Sequence, residues 1–201
     1  ELMSNISMSV VSMLYNVQLL KYAGEDGVAA YGVLMYVSLV FQAVFIGYSV
    51  GTAPVVSYHY GAGGTEELKG LRRKSMVLIG AFAVVMFAAA FLLGTPLALI
   101  FVGYDQGLLG LTEHAFAIFS FSFLFSGFAI FGSSFFTALN DGLTSAAISF
   151  LRTLVFQIAA VLILPVFLEV DGIWVSTVAA EVMAVLVTLL FLRGKQKRYQ
   201  Y

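Results

Sequence analysis

The sequence lacks cysteine and carries little charge, and these two absences exclude most classes of soluble protein. Without cysteine, the 201 residues can form neither a disulfide framework nor a thiolate metal site. Charged residues make up 10% of the chain and hydrophobic residues 61%, whereas soluble domains are about a quarter charged. A net charge of −1 gives no reason to expect a nucleic-acid partner. The composition therefore predicts an integral membrane protein whose solvent is the lipid bilayer.

Catalytic motifs are also absent. The two histidines, His59 and His114, lie far apart, and the sequence contains neither an HExxH motif nor a phosphate-binding glycine loop followed by lysine. We therefore expect no enzyme activity, no cofactor and no metal site.

Two long stretches contain no Asp, Glu, Lys or Arg, namely the 30 positions between Lys74 and Asp105 and the 27 between Glu113 and Asp141. Each exceeds the roughly 20 residues that span hydrocarbon as a helix. An open sheet edge would have no hydrogen-bond partner in lipid, so strands are excluded. Apolar runs between turn-forming residues predict an all-α domain, 1–201, of six transmembrane helices at about 3–23, 28–58, 72–102, 113–138, 143–166 and 171–192.

The cations are distributed unevenly among the predicted loops. With six helices, nine of the ten lie on one side of the membrane and only Lys21 lies on the other. By the positive-inside rule, both ends of the segment are cytoplasmic in a multi-pass protein of the cell membrane. The nine are Lys69, Arg72, Arg73, Lys74, Arg152, Arg193, Lys195, Lys197 and Arg198.

Small and polar residues recur at helical spacing in five of the six segments, which predicts a shared polar cavity. The alternative is that each stripe is a packing seam, since small residues let membrane helices approach closely. The third segment has few polar residues and is expected at the lipid-facing periphery. The stripes are Asn5, Ser9, Ser12 and Asn16; Tyr31, Met35, Ser38, Gln42, Phe45 and Ser49; Ser122, Ser126, Ala129, Ser133 and Thr137; Ser145, Ser149 and Arg152; and Trp174, Thr177, Glu181, Ala184 and Thr188.

Glu181 is the single residue that most strongly indicates a functional site, because it lies near the middle of the last segment. A carboxylate at that depth costs about 2.5–3.5 kcal/mol to insert, so such residues tend to be functional or paired. Ion coupling or substrate binding is one interpretation, and a structural pair with Arg152 is the other. Arg152 lies about two turns from the cytoplasmic end of the fifth segment and is expected to snorkel toward the interface.

Three residues mark bends or helix ends and are candidates for a gate: Gly51 and Pro54 in the second segment and Pro96 in the third. Asn16, Gln42 and Glu181 are predicted to line the cavity. Tyr36 and Phe41 are predicted to offer aromatic surface to a flat cation.

Several stretches resemble the multidrug and toxic compound extrusion (MATE) family. They are VAAYG at 28–32, IGYSVGTAP at 46–54 and SYHYGA at 57–62, which look like the family's eighth helix and the loop after it. The stretch DGIW at 171–174, followed by Ala180 and Glu181, is similar to the family's twelfth helix. The resemblance covers the chain as helices seven to twelve and favours the MepA-like branch.

The resemblance implies one six-helix lobe of a twelve-helix transporter of the MOP superfamily, which exports organic cations or other xenobiotics by alternating access in exchange for H⁺ or Na⁺. The coupling ion stays open, because the first segment offers Asn5, Asn16 and Gln18 where one branch of the family has an acid. Because the chain starts at Glu1, we expect a fragment that lacks the N-terminal lobe. That lobe, or a second copy, would be a partner alongside the bilayer. The alternatives are a lipid-linked precursor flippase and a non-transporting truncated protein.

Overall fold

Helix occupies almost the whole chain. The structure is a computed structural model that describes the backbone of residues 2–201 and the side chains from Ser7 onward. Within that range it contains four continuous helical stretches and no strand. All four are long and apolar enough to cross a membrane. They are Leu2–Gly61, Thr65–Val102, Gln106–Ala138 and Gly142–Tyr199.

Two residues with non-helical dihedral angles divide the longest stretches. Gly24 has φ 66° and ψ −155°, a conformation that glycine adopts without steric cost. Glu169 has φ 51° and ψ −128°, which is unfavourable for a residue with a Cβ atom. The stretches thus form six helices: α1 (2–23), α2 (25–61), α3 (Thr65–Val102), α4 (Gln106–Ala138, with a 3₁₀ turn at Ser120–Ser122), α5 (142–168, with a π-helical turn at Leu151–Val155) and α6 (170–199).

Some helices extend beyond the apolar segments from which they were predicted. Helix α3 begins at Thr65 rather than 72, α4 begins at Gln106 rather than 113, and α6 continues to 199 rather than 192. Charged residues are excluded from the hydrocarbon layer but not from helices. The length of an apolar run therefore gives only the part of a helix that lies in the membrane. The start of α4 is fixed locally, because the Asp105 carboxylate accepts hydrogen bonds from the backbone N–H groups of Gly107 and Leu108.

Helix α4 lies at the centre of the bundle and packs against α2, α3, α5 and α6. Its buried side chains are mostly aromatic. Close approach to α6 depends on Gly132, where an added Cβ atom would lie 2.2 Å from a methyl group of Thr188. The aromatic residues buried along α4 are Phe116, Phe119, Phe123, Phe131, Phe135 and Phe136.

The cations collect at one end of the bundle, which we name the basic end. Contacts between distant parts of the chain define it: Ser57 of α2 donates a hydrogen bond to the carbonyl of Ala138 at 3.0 Å, and Lys195 of α6 bonds Asp141 before α5. Eight of the ten Lys and Arg residues lie on the helix ends and loops there: Lys69, Arg72, Arg73, Lys74, Arg193, Lys195, Lys197 and Arg198.

Candidate functional site

A large cavity opens between two helix pairs, α1 with α2 and α5 with α6. Its volume is about 1210 Å³, larger than most small-molecule sites. Helix α4 contributes only Phe119 to its wall, and α3 contributes no residue, as its predicted peripheral position implies. The polar or ionisable side chains on the wall are Ser9, Ser12, Tyr15, Asn16, Glu25, Tyr31, Ser38, Gln42, Arg152, Thr153, Gln157, Thr177 and Glu181.

The centre of the polar wall is an ion pair between Arg152 and Glu181. The Arg152 Nε atom donates to both carboxylate oxygens, at 3.1 and 2.9 Å, and its Nη2 atom donates to Oε1 at 2.8 Å. The Arg152 side chain is 15% exposed and that of Glu181 is 5% exposed. The expectation that Arg152 snorkels to the interface is therefore wrong. A guanidinium donates bidentate, charge-assisted hydrogen bonds to a buried carboxylate. These bonds stabilise Arg152 inside the bundle more than hydration at the membrane interface would.

A π-helical turn in α5 aims Arg152 into the cavity. The turn covers Leu151–Val155. In a regular α-helix, residues five apart point about 140° away from each other. In a π-helical turn they lie near one face, and such turns occur often at functional sites. Accordingly, Arg152, Thr153 and Gln157 all line the cavity.

Tyr15 connects three helices beside this ion pair. Its hydroxyl donates to Oε1 of Gln157 on α5 at 2.7 Å and forms a 3.2 Å hydrogen bond with Thr177 on α6. Its ring stacks on Tyr31 of α2, with centroids 5.3 Å apart and planes inclined by 10°. The sequence analysis missed Tyr15 and Gln157. Tyr15 could have been found, because it lies three positions after Ser12 on the same helical stripe.

Three of the four predicted cavity residues lie on the cavity wall. Asn16 and Gln42 are half-buried there, with Gln42 donating to Ser38 at 2.9 Å, and Glu181 is buried. Tyr36 does not line the cavity, although the residue is 69% exposed. Phe41 also lies off the wall and packs against Phe123. Roles for these residues in substrate binding stay predictions.

The part of the α4 polar stripe formed by Ser133 and Thr137 is a packing seam. Ser133 bonds the hydroxyls of Ser145 and Ser149 on α5 at 2.9 and 2.7 Å, and Thr137 bonds Ser145 at 2.7 Å. These hydroxyls hold α4 against α5 and leave the cavity wall to other helices. In the stripe of α1, Asn5 falls outside the residues whose side chains are described.

None of the three residues proposed as a gate ends a helix. Gly51 and Pro54 lie inside the continuous helical stretch of α2, and Pro96 lies inside α3. The non-helical dihedral angles that divide the two longest stretches occur instead at Gly24 and Glu169. A gating role for the three stays a prediction.

A second buried ion pair lies at the basic end, where Asp141 caps α5. Its carboxylate accepts hydrogen bonds from Lys195 at 2.7 Å, the Thr144 hydroxyl at 2.8 Å, the Tyr199 hydroxyl at 2.9 Å and the backbone N–H of Thr144 at 3.2 Å. Burial alone would raise the pKa of Asp141, but these donors outweigh it and hold the pKa well below its usual range. This network ties α5 to the end of α6.

The fold matches solved transporter structures. An outward-facing multidrug resistance MATE family transporter of the MOP superfamily aligns with a TM-score of 0.91 and 21% identity over 98% of this chain and 45% of that one. An inward-facing structure of such a transporter aligns with a TM-score of 0.92 and 21% identity. The alignment covers 98% of this chain and 46% of that one. A third match is a MOP superfamily transporter from Pyrococcus furiosus Vc1, whose binding pocket is described as having reverse polarity. It aligns with a TM-score of 0.90 and 20% identity over 99% of this chain and 45% of that one.

The chain thus spans less than half the length of these solved structures. None of the curated proteins matches its sequence significantly. The family model MatE matches residues 2–163, which include α1 to α4, the Arg152 turn and most of α5. With an all-helical fold and apolar helices of membrane-spanning length, this match shows that the chain is a multi-pass membrane protein that belongs to the MatE family.

Proposed function

We propose that the chain is a six-helix lobe of a secondary active multidrug efflux transporter, which exports organic cations in exchange for H⁺ or Na⁺. The observation that carries this proposal is the cavity of about 1210 Å³ with a charged pair buried in its wall. Intramembrane charges are costly and mark substrate or ion pathways. We place both ends of the segment on the cytoplasmic side of the plasma membrane, because the basic end carries eight of the ten cations.

Alternating access is supported by the similarity to two conformations. The chain matches an outward-facing and an inward-facing transporter almost equally well, with TM-scores of 0.91 and 0.92. A lobe that fits both states can move as a rigid unit around a fixed site, as expected for transporters built from repeats. We propose that a second lobe, from the same polypeptide or from another copy, closes the open side of the cavity.

The wall of the cavity suits a flat or amphiphilic cation better than a phosphorylated lipid. Aromatic rings and amides, among them Tyr15, Tyr31 and Gln42, line it together with methionines. A flippase for lipid-linked precursors needs free cations to meet pyrophosphate. Arg152 is the one cation among the described lining residues, and Glu181 already engages it.

Dye efflux from proteoliposomes tests the proposal. The full-length protein should expel ethidium when a proton or sodium gradient is imposed, and the two gradients applied separately identify the ion. Gln42→Ala should slow efflux several-fold because it removes an amide from the wall. The matched control is Lys197→Gln, which alters an exposed side chain at the basic end and should leave efflux unchanged. A folded protein that moves no dye under either gradient would support the non-transporting alternative.

A further inference from the structure

A second cavity lies on the outer surface of α3, near the basic end. It is a groove of about 530 Å³. All its lining residues lie on one face of the helix, because they recur at intervals of three and four positions. None of them lines the cavity between the helix pairs, so the groove is a separate feature of the molecule. The lining residues are Gly70, Arg73, Lys74, Val77, Leu78 and Ala81.

The groove changes from charged to apolar along the helix. Arg73 and Lys74 belong to the basic end, and Val77 and Leu78 follow about one turn further along α3. Val77 is 69% exposed and Leu78 is 40% exposed. No Asp, Glu, Lys or Arg occurs between Lys74 and Asp105, so the hydrocarbon layer begins just past Lys74. The two cations thus lie at the depth of lipid headgroups, and the two apolar residues lie at the depth of acyl chains.

The two cations of the groove have no counter-charge within the protein. Among the residues whose side chains are described, Arg73 and Lys74 form no ion pair and no side-chain hydrogen bond. Arg72, the residue before them, instead places its guanidinium 5.2 Å from the ring centre of Tyr201. Glu67, an exposed acid nearer the start of α3, does not line the groove. The charged half of the groove is therefore complementary to an anion.

We propose that this groove binds one anionic phospholipid, a function separate from the transport proposed above. The N–H groups of Arg73 and Lys74 donate charge-assisted hydrogen bonds to the lipid phosphate, and an acyl chain packs against Val77 and Ala81. At Gly70, no atom lies within 4 Å of the position that a Cβ would take, which leaves room for the headgroup. A soluble anion would use only the cations and a neutral lipid only the apolar half, so the combination selects an anionic lipid.

Native mass spectrometry of the full-length protein in detergent tests the proposal, because it counts the lipid molecules that stay bound. The probes are phosphatidylglycerol, neutral phosphatidylcholine and inorganic phosphate. The wild type should retain phosphatidylglycerol in preference to phosphatidylcholine, and millimolar phosphate should not displace it. Arg73→Gln with Lys74→Gln should retain one phosphatidylglycerol fewer. The affinity for that molecule should fall about thirtyfold, which corresponds to about 1 kcal/mol for each cation.

A matched control removes the same charge from the same end of the bundle. Arg193 and Lys197 are exposed on α6 and line neither cavity. Arg193→Gln with Lys197→Gln should therefore keep the lipid count of the wild type. If the two double variants lose lipid equally, the basic end attracts anionic lipids without a defined site, and the proposal is overturned.

Ala81→Trp tests the apolar half of the groove with both cations in place. Ala81 is exposed, so the larger side chain fills the groove without disturbing the core, and the affinity for phosphatidylglycerol should fall several-fold. Unchanged affinity in this variant, equal retention of phosphatidylcholine by the wild type, or displacement by inorganic phosphate would each overturn the proposal. A dimer in the same spectra that dissociates in the groove variants without loss of lipid would also overturn it, because the face would then belong to a second copy.

Discussion

Two buried ion pairs hold α5 against α6, and they are built differently. In the cavity, Glu181 receives hydrogen bonds only from Arg152 among the described residues. At the basic end, Asp141 receives them from Lys195, Tyr199 and Thr144, the last through both its side chain and its backbone. Substitution of Arg152 removes every one of these hydrogen bonds to Glu181, whereas substitution of Lys195 leaves Asp141 those from Thr144 and Tyr199.

The difference separates a contact that one substitution removes from a contact that survives it in part. A buried carboxylate with many donors is held in one position and in one charge state, since each donor favours the ionised form. A carboxylate whose donors all belong to one side chain loses them together when that side chain is substituted. The network around Asp141 also caps a helix. The comparison therefore predicts that one substitution can dismantle the cavity pair but not the network at the basic end, and three substitutions test that difference.

The largest expected loss of stability follows Arg152→Gln. This change leaves the Glu181 carboxylate buried without its counter-ion, and breaking a buried pair from one side costs about 3–5 kcal/mol. Thermal denaturation of the purified full-length protein in detergent should show a clear drop in Tm. Adding Glu181→Gln should restore most of it, because two amides can hydrogen-bond without charge. A Tm for Arg152→Gln equal to that of the wild type would mean that the pair is not formed in solution.

Asp141→Asn should have an intermediate effect. The amide oxygen can still cap α5, but the charge-assisted bonds from Lys195 and Tyr199 are weakened. Hydrogen bonds to a charged group contribute about 1.5–3 kcal/mol, so we expect a loss of ~2 kcal/mol in the same denaturation assay. The variant should keep dye efflux. Loss of efflux by a folded variant would contradict the separation of the two regions.

The pH dependence of the stability lost in Asp141→Asn tests the direction of the pKa shift of Asp141. Because the pKa of Asp141 is lowered in the folded state, its contribution to stability is present above the ordinary pKa of aspartate and is lost as the pH falls through the folded value. The difference in Tm between the wild type and Asp141→Asn should thus be constant near neutrality and shrink below about pH 4. A difference that grows on acidification would reverse the assigned direction.

The sequence predicts the helices well because each physical cause is local. Apolar runs locate the membrane-spanning parts, and the glycine at position 24 marks the first break. Helix ends are predicted poorly, since the charged turns at 65–71 remain helical outside the apolar run. The position of Glu181 deep in the membrane is also predicted by the sequence, because it lies near the middle of an apolar segment. An acid at that depth needs a partner.

Most of the site depends on contacts that no local pattern encodes. Hydroxyl stripes look alike in α4 and in the cavity helices, yet the α4 stripe bonds α5. Arg152 reaches Glu181 because a π-helical turn changes the direction of its side chain, and that turn has no sequence mark that we can identify. Tyr36 was predicted on the wall for its aromatic character alone, and ring chemistry does not specify a helix face.

The smallest expected effect comes from a third pair, which joins the start of α4 to the start of α6. His114 Nε2 lies 2.8 Å from Asp171 Oδ1, with side chains 54% and 53% exposed. Water screens such pairs, and exposed pairs contribute about 0–1 kcal/mol. His114→Gln should therefore leave the Tm and the rate of dye efflux unchanged within error. A drop in Tm as large as that of Asp141→Asn would show that burial does not rank these pairs, and the contrast between the two buried pairs and the exposed one would lose its physical basis.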